Sequence, residues 1–493
     1  MKHPKLDQNR TPLVSALKTY SSTVRFHMPG HRGSNSAPAE LLELIGERGV
    51  SYDVTGVLGL DDLHQPTGVL KEVQALIADA FGASESYMVV NGTSAAVHAM
   101  ILSTVRPGKK ILIPRNIHKS ILSGIILSGA IPVFCTPEYD EYLGIAMGVS
   151  PEALETSIRR HGPVDAVLLV NPTYYGITTD LQKLCQIGHD SSATMIVDEA
   201  HGPHFRFHRA LPPPALDCGA DMCAHGMHKI LGSLTQSSLL HVKGDRVERW
   251  RVQGALRLIQ STSPSYLLMA SLDAARKQMV TQGYDLLEKA LRMARELRNE
   301  VNEISGLVCF GREILGRPGV IDLDETKVTV SVKELGITGY QAEEYIRHKF
   351  NIQAEMSDLF NVLFIVSFAN TEQDIKRLIE ALKALSRESK AMSNKKVQSI
   401  LKQASTIVLP PEPEFRMTPR EAFFAPSERM PLEKAVGRVS AETVTCYPPG
   451  IPILYPGEVI SDTEADYLRM VRATSLRVSG PEDTQLRWLR VVS

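Results

Sequence analysis

Met195-Ile196-Val197-Asp198-Glu199-Ala200-His201 is the most informative segment of this chain, and after Gly219-Ala220-Asp221 it is followed by His225-Gly226-Met227-His228-Lys229. The segment opens with a short apolar run and then turns polar at a carboxylate. Short apolar runs bounded by polar residues are typical of buried strands in a parallel sheet. We therefore predict a strand that ends at Asp198, with polar side chains gathered just beyond that end.

The preceding sequence repeats this pattern of short apolar runs, with helix-like stretches between them. Such alternation predicts a mainly parallel sheet covered by helices, the α/β class. In open α/β sheets the ligand lies beyond the carboxyl ends of the strands, so we expect the functional site there. The predicted strands are 87–90, 110–114, 131–134, 166–170 and 194–197, and the predicted helices are 69–81, 94–105 and 117–127.

Later segments predict two further domains. A helical stretch at 267–304 leads out of the large domain, and residues 318–385 show the strands and helices of a small α+β domain. Ser386–Lys396 is polar, as in a linker or a helix extension, and the Pro-rich block Leu409–Pro413 opens a third unit. We predict an N-terminal arm and large domain at 1–300, a small α+β domain at 301–390, and a linker with a C-terminal α+β domain at 391–493.

Composition excludes several function classes. The 493 residues include 54 Lys and Arg against 55 Asp and Glu, so charge gives no argument for nucleic acid or a membrane as partner. Six scattered cysteines without C-x-x-C spacing favour a reducing cytoplasm, and no apolar stretch reaches the ~20 residues that span a bilayer. We expect a soluble cytoplasmic protein. No zinc-site spacing accompanies the clustered histidines, so no metal is predicted; these are His27, His31, His201, His204 and His208.

Asp198 and Lys229 together suit pyridoxal phosphate chemistry. A buried carboxylate keeps a pyridine nitrogen protonated, and a lysine that loses its proton forms a Schiff base with an aldehyde. Ala200 is small enough for a flat ring to lie against the backbone. Strand-end aspartates and His-Lys pairs are each common in α/β enzymes, so the prediction depends on their combination.

Two strand ends supply further candidates. Asn91-Gly92-Thr93-Ser94-Ala95 joins a strand to a helix, where free N–H groups and two hydroxyls would bind a phosphate. The alternative is an ordinary Thr or Ser helix cap. His118 follows the next strand and would stack on a cofactor ring or transfer a proton. Its alternative is a surface or capping histidine.

Ordered motifs over nearly the whole chain resemble the ornithine/lysine/arginine decarboxylase family of fold-type-I pyridoxal phosphate enzymes. The length resembles the compact biosynthetic form, without an N-terminal wing domain. The motifs lie at Thr11–Leu13, Phe26–Gly33, Gly59–His64, Asn91–Ser94, His118–Ser120, Pro172–Gly176, Asp198–Gly202, His228–Lys229, Leu234–Gln236, Thr262–Tyr266, Pro419–Phe424, Tyr447–Pro452 and Pro456–Glu458.

The resemblance implies a role for each site residue. Lys229 would carry the Schiff base, Asp198 would hold the pyridine nitrogen, and His118 and Ala200 would cover the two ring faces. Ser263 would reach the site of a partner subunit, which implies an obligate homodimer. The remaining implied cofactor contacts are Gly92, Thr93, Ser94, His201 and His228. Family members usually carry hydroxyl residues where this chain has Gly226 and Met227, so a phosphate contact is expected to be missing.

The substrate is expected to be a basic amino acid, recognised by a carboxylate. Glu458 is the leading candidate, followed by Asp61, Asp62, Glu355 and Asp358, and the alternative for each is a helix cap or an ion pair. The compact form resembles enzymes that make agmatine, so L-arginine is the first expectation, with lysine and ornithine open. Transamination or β-elimination is a second interpretation, and a non-catalytic regulator that binds the cofactor or a polyamine is a third.

Overall fold

The computed structural model describes residues 6–33, 36–393, 395–404, 414–447, 452–474 and 477–493. The helices are α1 (Pro12–Tyr20), α2 (Ala39–Tyr52), α3 (Val69–Phe81), α4 (Gly92–Thr104), α5 (Lys119–Ser128), α6 (Pro151–His161), α7 (Leu181–Asp190), α8 (Met227–Ile230), α9 (Arg249–Ile259), α10 (Tyr266–Asn302), α11 (Gly339–Phe350), α12 (Glu372–Met392), α13 (Lys395–Ala404), α14 (Pro419–Phe424) and α15 (Asp462–Thr474). None of these helices is both long and apolar enough to cross a membrane.

Twenty strands accompany these helices in the described ranges. They are β1 (Glu85–Val89), β2 (Lys110–Pro114), β3 (Ile131–Cys135), β4 (Tyr139–Asp140), β5 (Ile145–Ala146), β6 (Ala166–Val170), β7 (Ile177–Thr178), β8 (Thr194–Asp198), β9 (Met222–His225), β10 (Ser238–Val242), β11 (Val308–Cys309), β12 (Asp322–Leu323), β13 (Lys327–Ser331), β14 (Met356–Ser357), β15 (Asn361–Ile365), β16 (Ser427–Pro431), β17 (Val444–Tyr447), β18 (Pro452–Leu454), β19 (Arg477–Ser479) and β20 (Trp488–Val492). The five strands predicted from the apolar runs are confirmed to within two residues at each end.

The chain forms two compact units. Unit one comprises residues up to Val105, Ala166–Asn171 and Gly188–Leu287. Its strands are ordered β1-β10-β9-β8-β6, with β6, β8 and β9 mutually parallel and β10 antiparallel to both neighbours. Strands β8, β9 and β10 are buried along almost their whole length because both faces are covered, as expected for this class. The predicted α/β fold is confirmed.

Unit two comprises Arg106–Asp165, Pro172–Ile187 and Glu288–Ser493. Strands β2 and β3 pair in parallel, and a four-stranded antiparallel sheet, β11-β13-β15-β14, shares a core with α10, α11 and α12. Strands β13 and β15 and helices α11 and α12 confirm the strands and helices predicted within 318–385. The C-terminal part has its own core, which includes Leu432, Val444, Leu468 and Leu489.

Two predictions about connections have different outcomes. Helix α12 continues to Met392, so Ser386–Met392 is a helix extension and the linker interpretation is wrong for it. The Pro-rich block Leu409–Pro413 lies outside the described residues, as does most of the motif at Tyr447–Pro452. The three domain boundaries stay predictions.

Candidate active site

Asp198 is the last residue of β8, where the sequence predicts the strand to end. Its side chain is 5% exposed, and Oδ1 accepts the N–H of Ala200 at 3.1 Å. This bond turns the backbone at the strand end, so Asp198 and Ala200 lie close together just beyond the sheet. A carboxylate buried at the carboxyl end of a parallel strand is well placed to hold a ligand cation.

Lys229 lies in the short helix α8, four residues after β9 ends. Its Nζ lies 2.9 Å from Nε2 of His201, which is itself buried. The backbone N–H of Gly226 donates to the carbonyl of Ala200 at 3.2 Å, so the segment after β8 and the segment that carries Lys229 are joined directly. The structure therefore brings together four of the predicted site residues, namely Asp198, Ala200, His201 and Lys229.

The predicted phosphate loop opens helix α4. Asn91 is the N-cap residue, but its side chain makes no capping bond; instead Nδ2 donates to the carbonyl of Ile259 at 3.2 Å. The first-turn N–H groups are therefore not capped by that side chain and remain suited to an anion. Gly92 has a φ of +73°, and a β-carbon added there would meet nothing within 4 Å, which leaves an open cradle above the helix start.

Thr93 and Gly226 connect this loop to the lysine. Thr93 Oγ1 lies 2.9 Å from Oγ of Ser238, so its hydroxyl is directed by β10. A β-carbon added to Gly226 would lie 3.0 Å from that same Oγ1 and 3.0 Å from Cδ of Lys229. Thr93, Gly226 and Lys229 are therefore neighbours. Ser238 was not predicted from the sequence, because no local pattern distinguishes it from other strand serines.

Gly226 is one of the two positions at which the sequence departs from the pattern of the family that it resembles. The added β-carbon would lie 2.8 Å from the carbonyl oxygen of Ala200, a backbone atom that cannot move freely. Met227 is fully buried, so a hydroxyl there would face the core. His228, the next residue, lies with Nδ1 2.9 Å from the carbonyl of Ser237. The backbone geometry thus favours a residue without a side chain at position 226.

His118 and Ser263 lie in exposed positions. His118 is the N-cap residue of α5 in unit two, and its Nδ1 accepts the N–H of Ser120 at 3.2 Å. This is the contact that the capping alternative predicts. Ser263 is exposed in unit one, where its N–H donates to Oγ of Ser261 at 3.1 Å. Their cofactor contacts stay predictions.

Glu458 forms a buried ion pair with Arg115 in unit two. Its side chain is fully buried, and its oxygens accept two bonds from the guanidinium of Arg115, at 2.9 and 3.2 Å, and the N–H of Tyr455 at 2.7 Å. Arg115 also lies over the rings of Phe134 and Tyr455. A carboxylate held in this way is a structural partner, so the geometry favours the ion-pair alternative over a substrate contact.

Asp61 is a loop cap in unit one. It has a φ of +72°, and its carboxylate accepts N–H groups from Asp62, Thr67, Gly68 and Leu70 at 2.7–3.1 Å. Although burial raises it, the pKa of Asp61 lies below its ordinary value because these backbone bonds favour the charged form. The cap alternative again accounts for the observed contacts.

The other acidic candidates also have protein partners. Asp62 accepts the N–H of His64 at 2.8 Å, and Glu355 accepts the hydroxyl of Tyr174 at 3.3 Å. Asp358 accepts the hydroxyl of Tyr175 at 2.7 Å, and burial raises the pKa of Asp358.

A cluster of titratable groups that the sequence did not predict lies next to Asp198, at the end of β8 and in the neighbouring strand β9. The potential ligand atoms of Glu199, Cys223 and His225 lie within 4.8 Å of one another, and all three residues are buried. His225 is not among the clustered histidines that the sequence offers as possible metal ligands. All six cysteines are buried thiols outside any disulfide. A signal was present in the sequence, since Glu199 directly follows Asp198 and His225 closes the strand before Lys229.

Comparison with known families decides the assignment. The model for the Orn/Lys/Arg decarboxylase major domain matches residues 11–374, and the model for the C-terminal domain of that family matches 401–484. The chain belongs to the Orn/Lys/Arg decarboxylase family. It is therefore an amino acid decarboxylase by descent, and the family resemblance stated from the motifs is confirmed.

Individual relatives of the family agree with this assignment. An arginine decarboxylase of Halalkalibacterium halodurans is 45% identical over 98% of both chains, and one of Bacillus subtilis is 42% identical over 99% of both. The constitutive lysine decarboxylase of Escherichia coli is 26% identical over 97% of this chain and 79% of the relative.

Solved structures confirm the fold. The constitutive lysine decarboxylase of Escherichia coli matches with a TM-score of 0.84 and 24% identity, over 99% of this chain and 82% of the other. A structure of SPT with PLP matches with a TM-score of 0.54 and 16% identity, over 77% of this chain and 85% of the other. These likenesses are of fold alone.

Proposed function

We propose that the protein decarboxylates L-arginine to agmatine and CO2 with pyridoxal phosphate as cofactor. The observation that carries the proposal is the 2.9 Å contact between Lys229 Nζ and His201 Nε2, beside the strand end that holds Asp198. The choice of arginine is supported by relatives of 42–45% identity that are named arginine decarboxylases, whereas the lysine enzymes are 26% identical.

The residues present fit pyridoxal phosphate. Gly92 leaves an open cradle at the uncapped start of α4 for the phosphate, with Ser94 in the same first turn. Lys229 would hold the cofactor's aldehyde carbon, and Asp198 would hold a proton on the pyridine nitrogen. When bound, pyridoxal phosphate supplies a ring that absorbs the electron pair left by departing CO2.

His201 gives Lys229 a partner for proton transfer. An imidazole nitrogen can both accept and donate a proton, so Nε2 can take a proton from Nζ and return it at the same atom. Because Nζ and Nε2 already lie at hydrogen-bond distance, this exchange needs no rearrangement of either side chain. Lys229 is then able to act first as a nucleophile and later as the acid that protonates the substrate carbon.

We also propose that the protein is a homodimer whose partner covers part of unit one and contributes Ser263. Large apolar side chains are exposed there, and a partner subunit would cover them. They are Phe26 (86%), Leu58 (99%), Trp250 (68%) and Leu258 (78%). Light scattering of the purified protein tests this: a monomer at micromolar concentration would contradict it.

Product analysis of the purified protein tests the activity. The protein is incubated with pyridoxal phosphate and with arginine, lysine or ornithine separately, and amine, CO2 and keto acid are measured. Agmatine and CO2 in equal amounts from arginine are expected. Cadaverine or putrescine as the main product would correct the substrate, and keto acid without CO2 would overturn the reaction.

A further inference from the structure

Four buried polar side chains of unit one form a continuous chain behind Asp198. Glu199 Oε2 lies 2.8 Å from His225 Nε2, His225 Nδ1 lies 3.1 Å from His241 Nε2, and His241 Nδ1 lies 2.7 Å from Ser86 Oγ. Each residue is at most 3% exposed. The chain crosses four neighbouring strands, from the end of β8 through β9 and β10 to β1.

One assignment of protons satisfies every link. Ser86 donates to His241, His241 donates through Nε2 to His225, and His225 donates through Nε2 to the carboxylate of Glu199. Each imidazole ring then donates one hydrogen bond and accepts one, and the last donation goes to the Glu199 carboxylate. The other oxygen of Glu199 accepts the N–H of Ala215 at 2.8 Å. All donations run toward Glu199, and bonds aligned in this way strengthen one another.

The lowered pKa of His241 agrees with this assignment. Burial, together with the neighbouring His225, holds the pKa of His241 well below its ordinary value, so that ring is neutral. Burial raises the pKa of Glu199, which by itself favours the protonated acid, whereas the bonds from His225 and Ala215 oppose that rise and favour the carboxylate.

The geometry does not suit a metal ion at Glu199, Cys223 and His225. Zinc bonds to nitrogen and oxygen are each about 2.0–2.2 Å long, so tetrahedral ligand atoms lie more than about 3 Å apart. The oxygen of Glu199 and the nitrogen of His225 are only 2.8 Å apart, the distance of a direct hydrogen bond.

The chain connects the two segments that carry the active-site groups. Glu199 N–H donates to the carbonyl of Ala224 at 3.1 Å, and Gly226 N–H donates to that of Ala200 at 3.2 Å. The side-chain bond between Glu199 and His225 lies between these two backbone bonds. It therefore adds a third tie between the segment that contains Asp198 and the segment that leads to Lys229.

We propose that the chain Glu199–His225–His241–Ser86 is a positioning device that fixes the separation of Asp198 and Lys229, the two groups that hold opposite ends of one rigid cofactor. The inference rests on the proposed function. A purely apolar contact would bury the same surface but would not fix the relative orientation of the two segments. A hydrogen-bonded chain that runs from β1 to the end of β8 would set the orientation of the Asp198 carboxylate as well as its distance from Lys229.

Three variants separate this role from a merely structural one. Glu199→Gln offers one oxygen where Glu199 accepts two donors and removes the charge on which the chain ends, so the donation from His225 to an anion is lost. With Ala215 still bonded to the amide oxygen, the amide N–H2 reverses every donation in the chain. Ser86→Ala removes the far end of the chain with little change of volume. Cys223→Ala is the control beside the chain: Cys223 Sγ lies 3.8 Å from His225 Nε2 and also bonds to Glu199, but it joins no two links, so every donation from Ser86 to Glu199 remains.

The readouts are the dissociation constant for pyridoxal phosphate, the melting temperature of the apoprotein, kcat for decarboxylation and metal content. We expect the dissociation constant to rise about tenfold in Glu199→Gln and about threefold in Ser86→Ala, and to stay within twofold in Cys223→Ala; a tenfold rise corresponds to ~1.4 kcal/mol. Unchanged cofactor affinity in both chain variants, with only lower melting temperatures, would overturn the positioning role.

Two other outcomes would also overturn the proposal. Stoichiometric bound metal that is lost in Cys223→Ala would make the cluster a metal site. A wild-type protein that binds no pyridoxal phosphate would overturn the proposed function and the positioning role together. A wild type that binds the cofactor and decarboxylates arginine, beside unaffected chain variants, would overturn the positioning role alone.

Discussion

Replacing Gly226 by serine, the kind of residue that the family resemblance predicts there, should weaken cofactor binding in this protein. The β-carbon of serine would lie 2.8 Å from the carbonyl oxygen of Ala200 and 3.0 Å from Cδ of Lys229. Ordinary carbon–oxygen contacts are about 3.3 Å or longer, so the two segments must separate by about half an ångström. Overpacking of this kind costs about 1–3 kcal/mol.

We expect this strain to fall on the contacts that hold the cofactor, so the dissociation constant for pyridoxal phosphate should rise by about 5- to 150-fold. Titration followed by the visible absorbance of bound cofactor measures it, with Gly226→Ala as the variant that adds the β-carbon alone. Lys376→Ala is the control: Lys376 is exposed within α12 of unit two, so alanine should leave cofactor affinity unchanged and alter the free energy of unfolding by at most about 0.5 kcal/mol. Cofactor binding by Gly226→Ser as tight as that of the wild type would refute the reasoning.

Three further substitutions have defined outcomes. Glu458→Gln leaves the buried Arg115 guanidinium without its charged partner and should lower the free energy of unfolding, measured in denaturant, by about 3–5 kcal/mol; a higher KM for arginine at unchanged stability would instead make Glu458 a substrate ligand. Asp61→Asn should lower the free energy of unfolding by about 1 kcal/mol at neutral pH. The pKa of Asp61 is lowered in the folded protein, so its stabilisation is present above the ordinary aspartate pKa and is lost as pH falls through the folded value. A wild-type advantage that persists in strong acid would count against this. His201→Phe should lower kcat by about 10²-fold while pyridoxal phosphate remains bound, and an unchanged kcat would remove His201 from proton transfer.

Much of the fold follows from local sequence because the strands of unit one are buried on both faces. Apolar runs such as Ala166–Val170 then predict strands, and the polar residue that ends a run marks the edge where ligands bind. Asp198, Ala200 and Lys229 could be placed in one site for this reason. The sequence alone does not decide between a helix extension and a linker beyond Ser386, because a charged stretch suits a solvated helix as well as a linker.

The features that the sequence did not predict depend on long-range contacts. Arg115 and Glu458 are 343 residues apart, and Ser86 is 155 residues from His241, so no local pattern reports either pair. The exclusion of a side chain at Gly226 depends on the carbonyl of Ala200, which reaches it only through strand pairing. Residue type alone identifies the acidic candidates, whereas their protein partners are visible only in the structure.

Borohydride reduction of the protein with pyridoxal phosphate, followed by peptide mass spectrometry and product analysis with arginine, tests the central claim most directly. We predict that reduction attaches the cofactor to Lys229, that the wild type releases agmatine, and that Lys229→Ala neither retains the cofactor covalently nor forms agmatine. Attachment at another lysine, or agmatine formation by Lys229→Ala at the wild-type rate, would contradict the account.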